Sequence, residues 1–159
     1  MMFYKGLLAL CLLCGITVCA NAQYSGIAAD TIVFVASTPC SQGTKPLPGI
    51  AKDAPCELMK WKLMLYSNSF TLVCDYGMPL QGTKGLVGGG KHVNLSGKWR
   101  VNKGMPGNTQ ATLYRLTDSA TGKIISLIKL SDDLLHLLDD DSHLMIGTAA
   151  WSYTLNRIK

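Results

Sequence analysis

The side chains best suited to chemistry in this chain are its sulfurs. Six cysteines occur among 159 residues. Cys11, Cys14 and Cys19 lie in an apolar N-terminal run, which leaves Cys40, Cys56 and Cys74 beyond it. Together with Met59, Met64, Met78 and His92 they are soft ligands of the kind that hold Cu(I). No two of them have a tight ligand spacing such as Cys-x-x-Cys or His-x-x-x-His. The plainer use of the same residues is one disulfide, one leftover thiol and methionines in a core. A Cys40–Cys56 bridge would close a modest loop and contribute about 3 kcal/mol by chain entropy. Cys56–Cys74 is the rival pairing, and spacing does not choose between them.

Other candidate chemistry is thinner. Asp139, Asp140 and Asp141 form an acidic run, but without the alternating oxygen ligands and closing Glu of a calcium loop. They read as a solvated turn, flanked by His136 and His143. Gly88-Gly89-Gly90-Lys91 lacks the preceding strand and following helix of a phosphate-binding loop. There is no Gly-x-Ser-x-Gly elbow and no His-Glu-x-x-His. Glu57 is the chain's single glutamate, so a pair of glutamates is not available for acid–base work. The chain therefore reads as non-enzymatic. Asn94-Leu95-Ser96 matches a glycosylation sequon and is read as part of a strand.

Compartment decides how the cysteines are used. Lys5 supplies a basic start, Gly6 to Cys19 an apolar run, and Ala20-Asn21-Ala22 a small-x-small cleavage site. Residues 1–22 thus read as a signal peptide, too short for a membrane span. Val18 before Cys19 and Leu13 before Cys14 do not suit a lipidation signal. The expected mature chain is one domain over residues 23–159, with no transmembrane segment, in an oxidising compartment where disulfides persist. The formal charge is +5 for the whole chain. It is dispersed rather than clustered, which argues against a nucleic-acid partner.

The elements that must position these residues follow a period of two. Asp30 to Ala36 is a β-branched and aromatic run, and a first strand. Residues 37–56 read as a long, proline-rich loop, of the kind that is functional or pinned. Glu57–Tyr66 and Phe70–Tyr76 alternate across Ser67-Asn68-Ser69 as a hairpin. Six glycines over 77–91 suggest a mobile loop. His92–Val101 alternates again, with Gly97 marking a bulge or sharp bend. A polar loop over 102–109, strands over 110–116 and 123–130, and a strand or helical turn over 132–138 follow. His143–Ile146 with Ala149–Leu155 closes the chain. About eight strands at hairpin spacing indicate an all-β antiparallel barrel or sandwich.

Several of these segments carry a resemblance. Thr38-Pro39-Cys40, Trp61 to Tyr66, Phe70 to Tyr76, Leu95-Ser-Gly-Lys-Trp99 and Leu137-Leu-Asp139 occur in the order seen in the NlpE-like family. These are copper-resistance and envelope-stress lipoproteins, and the likeness is to their N-terminal domain, over roughly residues 30–146. The segment Leu134 to Leu155 also looks like the tail of uncharacterised secreted proteins of the Bacteroidetes type. The family's close Cys-x-x-Cys pair is absent, since Ser41-Gln42-Gly43 follows Cys40. The resemblance implies a lipocalin-like antiparallel β-barrel in the bacterial envelope, periplasmic or secreted. By fold analogy such a barrel binds a small apolar ligand or a partner protein, with Trp61, Phe70, Tyr76, Trp99 and Trp151 as candidate inward ligand-binding aromatics. The alternatives are a copper-binding or copper-stress protein using Cys40, Cys56 and Cys74, and an envelope assembly or stress-signalling factor presenting the 77–91 loop.

Overall fold

A computed structural model describes residues 31–40 and 47–159. The expected leader and its cleavage site, and Ser41 to Pro46 of the proline-rich loop, lie outside the described residues. Eight strands form one closed antiparallel barrel in simple sequential order. They are β1 (Ile32–Pro39), β2 (Leu58–Leu65), β3 (Ser69–Gly77), β4 (Lys91–Met105), β5 (Asn108–Asp118), β6 (Ile124–Lys129), β7 (Leu134–Leu137) and β8 (Thr154–Ile158). β8 pairs with β1 over Val33–Val35 and closes the barrel. Closure is the one arrangement of strands that leaves no edge to aggregate.

Alternation drives the inward face. Met59, Trp61, Leu63 and Leu65 of β2 are buried, and so are Phe70, Leu72, Cys74 and Tyr76 of β3. The register stacks them into layers. Ala36, Trp61, Cys74 and Val93 form one row across β1 to β4, and Phe34, Leu63, Leu72 and Leu95 form the next. Large and small side chains sit side by side, so the indole of Trp61 lies between Ala36 and Cys74. Its Nε1–H donates to Thr38 Oγ1 at 2.8 Å, which satisfies both buried polar groups. A second small cluster of Ala111, Leu113, Ile128 and Leu138 is also buried.

Gly97 behaves differently from a bulge. The β3–β4 pairing runs through it without a shift. A Cβ there would run into the Thr117 carbonyl oxygen and come within 3.1 Å of the Phe70 ring. Glycine is required for the close approach of β4 to β5 over a large ring. The irregularity in that hairpin lies instead between Lys103 and Met105.

Element boundaries moved where polarity misled. β1 continues to Pro39, which pairs with Leu58. β8 reaches along β1 only to Val35, so the donor that Pro39 lacks leaves no β8 acceptor unpaired. The expected loop over 102–109 is a long hairpin end in which Met105 pairs with Asn108. Pro106-Gly107 makes the turn, with Gly107 at φ 76°. Proline followed by a positive-φ glycine is turn chemistry. The last strand is Thr154–Ile158 rather than a segment ending at Leu155, and residues 138–153 form a connection. Leu134–Leu137 is a strand, not a helical turn. The glycine-rich segment carries its own order, with Val87 N–H donating to Met78 O at 2.9 Å and Leu86 buried.

A candidate ligand cleft at the loop end of the barrel

An up-and-down barrel places alternate connections at the same end. The connections after β1, β3, β5 and β7 therefore lie at one end, their described residues being 40 and 47–57, 78–90, 119–123 and 138–153, and the tight turns 66–68, 106–107 and 130–133 lie at the other. The long connections are where a rigid barrel can carry a site. Three of those four connections line one cleft of about 790 Å³. That is within the size range of small-molecule sites.

The Cys40–Cys56 disulfide closes the base of the first connection. Inside it, Leu47 and Ile50 are buried and join the main core cluster with Met145 and Tyr153. Leu47, Ile50, Ile125 and Met145 all reach the cleft, so its apolar wall is continuous with the barrel core. The β5–β6 turn supplies another wall. Asp118 Oδ2 accepts from the Thr121 hydroxyl at 2.7 Å and the Thr121 N–H at 2.9 Å. The Thr121 hydroxyl bond foremost holds the Asp118 carboxyl below its ordinary range, although burial opposes this. Gly122, at φ 71°, completes the turn and sets Lys123 on the cleft.

Charge is uneven across the site. Lys52, Arg115 and Lys123 line the cleft together with Asp139 and Asp140. Asp139 is occupied by its own turn. Its Oδ1 accepts from the N–H of His143 at 2.8 Å and of Asp141 at 3.0 Å. The His143 N–H first, then that of Asp141, hold its carboxyl below the usual value. Asp140 is exposed at the rim. Arg115 stands in β5 between the inward Tyr114 and Leu116, opposite Arg100 of β4 and Ser126 of β6. Its Nε is buried without a hydrogen-bond partner among the described residues.

The five aromatics singled out from sequence do not share one place. Trp61, Phe70 and Tyr76 are buried among the core side chains of the barrel. Trp99 is half-buried. Its Nε1–H donates to Tyr66 O at 2.7 Å, and its ring lies 5.1 Å from that of Tyr114. Trp151 is 37 % exposed in the connection before β8, where the inward aromatic is Tyr153. None of the five lines the 790 Å³ cleft. Sequence reasoning did not single out Lys52, Arg115 and Lys123. An arginine on the outer face of an alternating strand carries no mark of its own.

The three sulfurs are likewise divided. Cys40 and Cys56 form the disulfide, which settles the pairing. Cys74 is a free thiol, buried on β3 between Trp61 and Val93. Burial, reinforced by the Asp75 carboxylate, pushes its pKa up to about 12. A disulfide offers no thiolate, and a thiol at that pKa is a poor metal ligand and nucleophile. Among the described residues, no group of three or more His, Cys, Asp or Glu is placed to hold a metal ion. Nor, among them, is any helix long and apolar enough to cross a membrane. No protein-family model, curated protein or solved structure matches the chain.

Proposed function

We propose that the chain is a non-enzymatic binding protein of the bacterial envelope or its exterior, which takes a small ligand with an apolar body at the loop end of its barrel. The observation that carries this is the 790 Å³ cleft, which is backed by the core residues Leu47, Ile50, Ile125 and Met145 and carries the exposed apolar side chain of Ile124. A concave cleft of this size, with a few polar groups converging on it, is a common form of small-molecule site. The barrel interior is a poorer host, because Trp61, Phe70 and Tyr76 fill it. The compartment rests on the expected leader, on the NlpE-like resemblance and on a disulfide that persists in oxidising surroundings.

The test is thermal stability of the processed protein against a panel of small amphiphiles. Ile124 lines the cleft and is 44 % exposed. Ile124→Glu should leave the ligand-free melting temperature unchanged and abolish the ligand-induced rise. A panel that raises the melting temperature of neither protein removes this reading.

A partner protein is a second reading, favoured by one observation. At the same end of the barrel, Leu80 and Val87 in one connection, and Leu144 and Ile146 in another, are exposed, Ile146 by 91 %. Crosslinking in the envelope that depends on Ile146 but not on Ile124 would favour it.

A further inference from the structure

We propose that the cleft selects ligands that carry a carboxylate, and that Arg115 is the residue that binds it. This rests on the reading of the cleft as a ligand site and adds the chemistry of the ligand's polar end.

The first observation is the Arg115 guanidinium. Its Nε–H is buried with no partner among the described residues, in a side chain that lines the cleft. Buried donors are almost always paired, so this orphan marks a guanidinium that the chain itself leaves short of acceptors. A guanidinium is a planar fork that matches the two oxygens of a carboxylate.

The second observation is charge. Arg115 is directly opposite Arg100 in the β4–β5 ladder, and like charges so placed repel. The ion pairs among the described residues are His92–Asp75, Lys129–Asp132, His143–Asp139 and Lys159–Asp133, and of these only His143–Asp139 includes a residue of the cleft. None involves Lys52, Arg100, Arg115 or Lys123. Of the two carboxylates on the cleft, Asp139 is occupied by backbone N–H groups and Asp140 stands exposed at the rim. An incoming anion would thus meet an excess of unpaired positive charge. Lys52 and Lys123 strengthen the field there, and Arg115 supplies the geometry. The exposed Ile124 on the cleft offers the apolar contact for the rest of the ligand, so the fitting class is a small amphipathic carboxylic acid.

Isothermal titration calorimetry on the processed full chain tests this with octanoate and octanol, which have the same carbon count and differ at the polar end. The expected result is octanoate binding at least about tenfold tighter, as one charge-assisted fork supplies. The preference should shrink as salt is raised. Arg115→Gln should remove most of it, and Arg115→Lys should restore only part, because an ammonium lacks the fork. The wild-type comparison needs no variant, so it stands even if Arg115→Gln folds poorly. Equal affinities for acid and alcohol overturn the carboxylate assignment and leave the binding reading intact. Octyl phosphate binding more tightly than octanoate also overturns it, in favour of a phosphoryl group. Binding of none of the three overturns both readings.

Discussion

Opening the Cys40–Cys56 link should cost the domain about 3 kcal/mol. The two cysteines are 16 residues apart, and the chain-entropy relation for a loop of that length gives about 3 kcal/mol at 25 °C. The folded loop has a second anchor, since Leu47 and Ile50 are buried in the core. Burial of such side chains stabilises by about 1.5–3 kcal/mol each. The native loop should therefore stay seated without the link, and the loss should arise in the unfolded chain. Urea unfolding of the oxidised protein and of Cys40→Ala/Cys56→Ala, followed by tryptophan fluorescence, separates these cases. The midpoint should fall and the slope m should rise, because the unlinked chain exposes more surface. Against a typical total of about 5–15 kcal/mol, such a loss is easily measured. A loss under about 1 kcal/mol with unchanged m would refute the reasoning. It would mean that the unfolded chain is not constrained by the link, and that Leu47 and Ile50 alone hold the loop.

Three further perturbations test the packing. Gly97→Ala puts a methyl against the Thr117 carbonyl and beside the Phe70 ring, and should destabilise by about 1–3 kcal/mol or more in the same urea assay; a neutral result would show that β4 and β5 are not so close. Trp61→Phe and Thr38→Val each strand a buried partner of the 2.8 Å hydrogen bond, costing about 1–3 kcal/mol apiece, and the double variant should show a coupling of about 1 kcal/mol. Additivity within about 0.5 kcal/mol would show that the bond contributes nothing. Cys74, with its pKa raised from 9.0 to about 12, should resist alkylation at pH 8 until the chain unfolds. Its sign in linkage is clear: the folded protein keeps the proton that the unfolded thiol loses, so its contribution is complete below pH 9 and falls between pH 9 and about 12. Relative to Cys74→Ala, the native chain should lose about 1.4 kcal/mol per pH unit in that window, and parallel pH profiles would count against it.

The barrel was legible because its inward faces alternate without interruption. Trp61, Leu63 and Leu65, and Phe70, Leu72, Cys74 and Tyr76, mark two neighbouring strands on spacing alone, and their register follows from Ser67-Asn68-Ser69. Legibility failed where both faces meet water. Asn102, Lys103, Asn108 and Thr109 carry no apolar alternation, so the outer half of the β4–β5 hairpin reads as a loop. Pro39 reads as a breaker, because sequence does not show that β8 stops short of it. The disulfide was one of two pairings that spacing allowed. The candidate cleft was not legible at all. Its walls come from residues 47–52, 115, 122–126 and 138–145, brought together only by closure of the barrel.

The position of the cleft follows from how the interior is filled. A closed barrel of eight strands has room either for its own side chains or for one small ligand. Here the layers interlock: Trp61 occupies the space that Ala36 and Cys74 leave, and the Phe70 ring fits only because Gly97 has no side chain. A ligand inside would have to displace residues that define the core, which couples binding to unfolding. The ends carry no such constraint. At one end the connections are the short turns 66–68, 106–107 and 130–133, with little room for a site. At the other, the 40–57 and 138–153 connections are long, yet Cys40–Cys56, Leu47, Ile50 and Met145 fasten them to the core. Long connections held in place can present fixed polar groups, whereas equally long unfastened ones must first pay an ordering entropy on binding. The disulfide and the buried loop residues therefore belong to the binding site as much as to stability. Loss of the link should weaken octanoate binding through the shape of the Leu47–Ile50 wall while leaving the Arg115 preference for acid over alcohol in place.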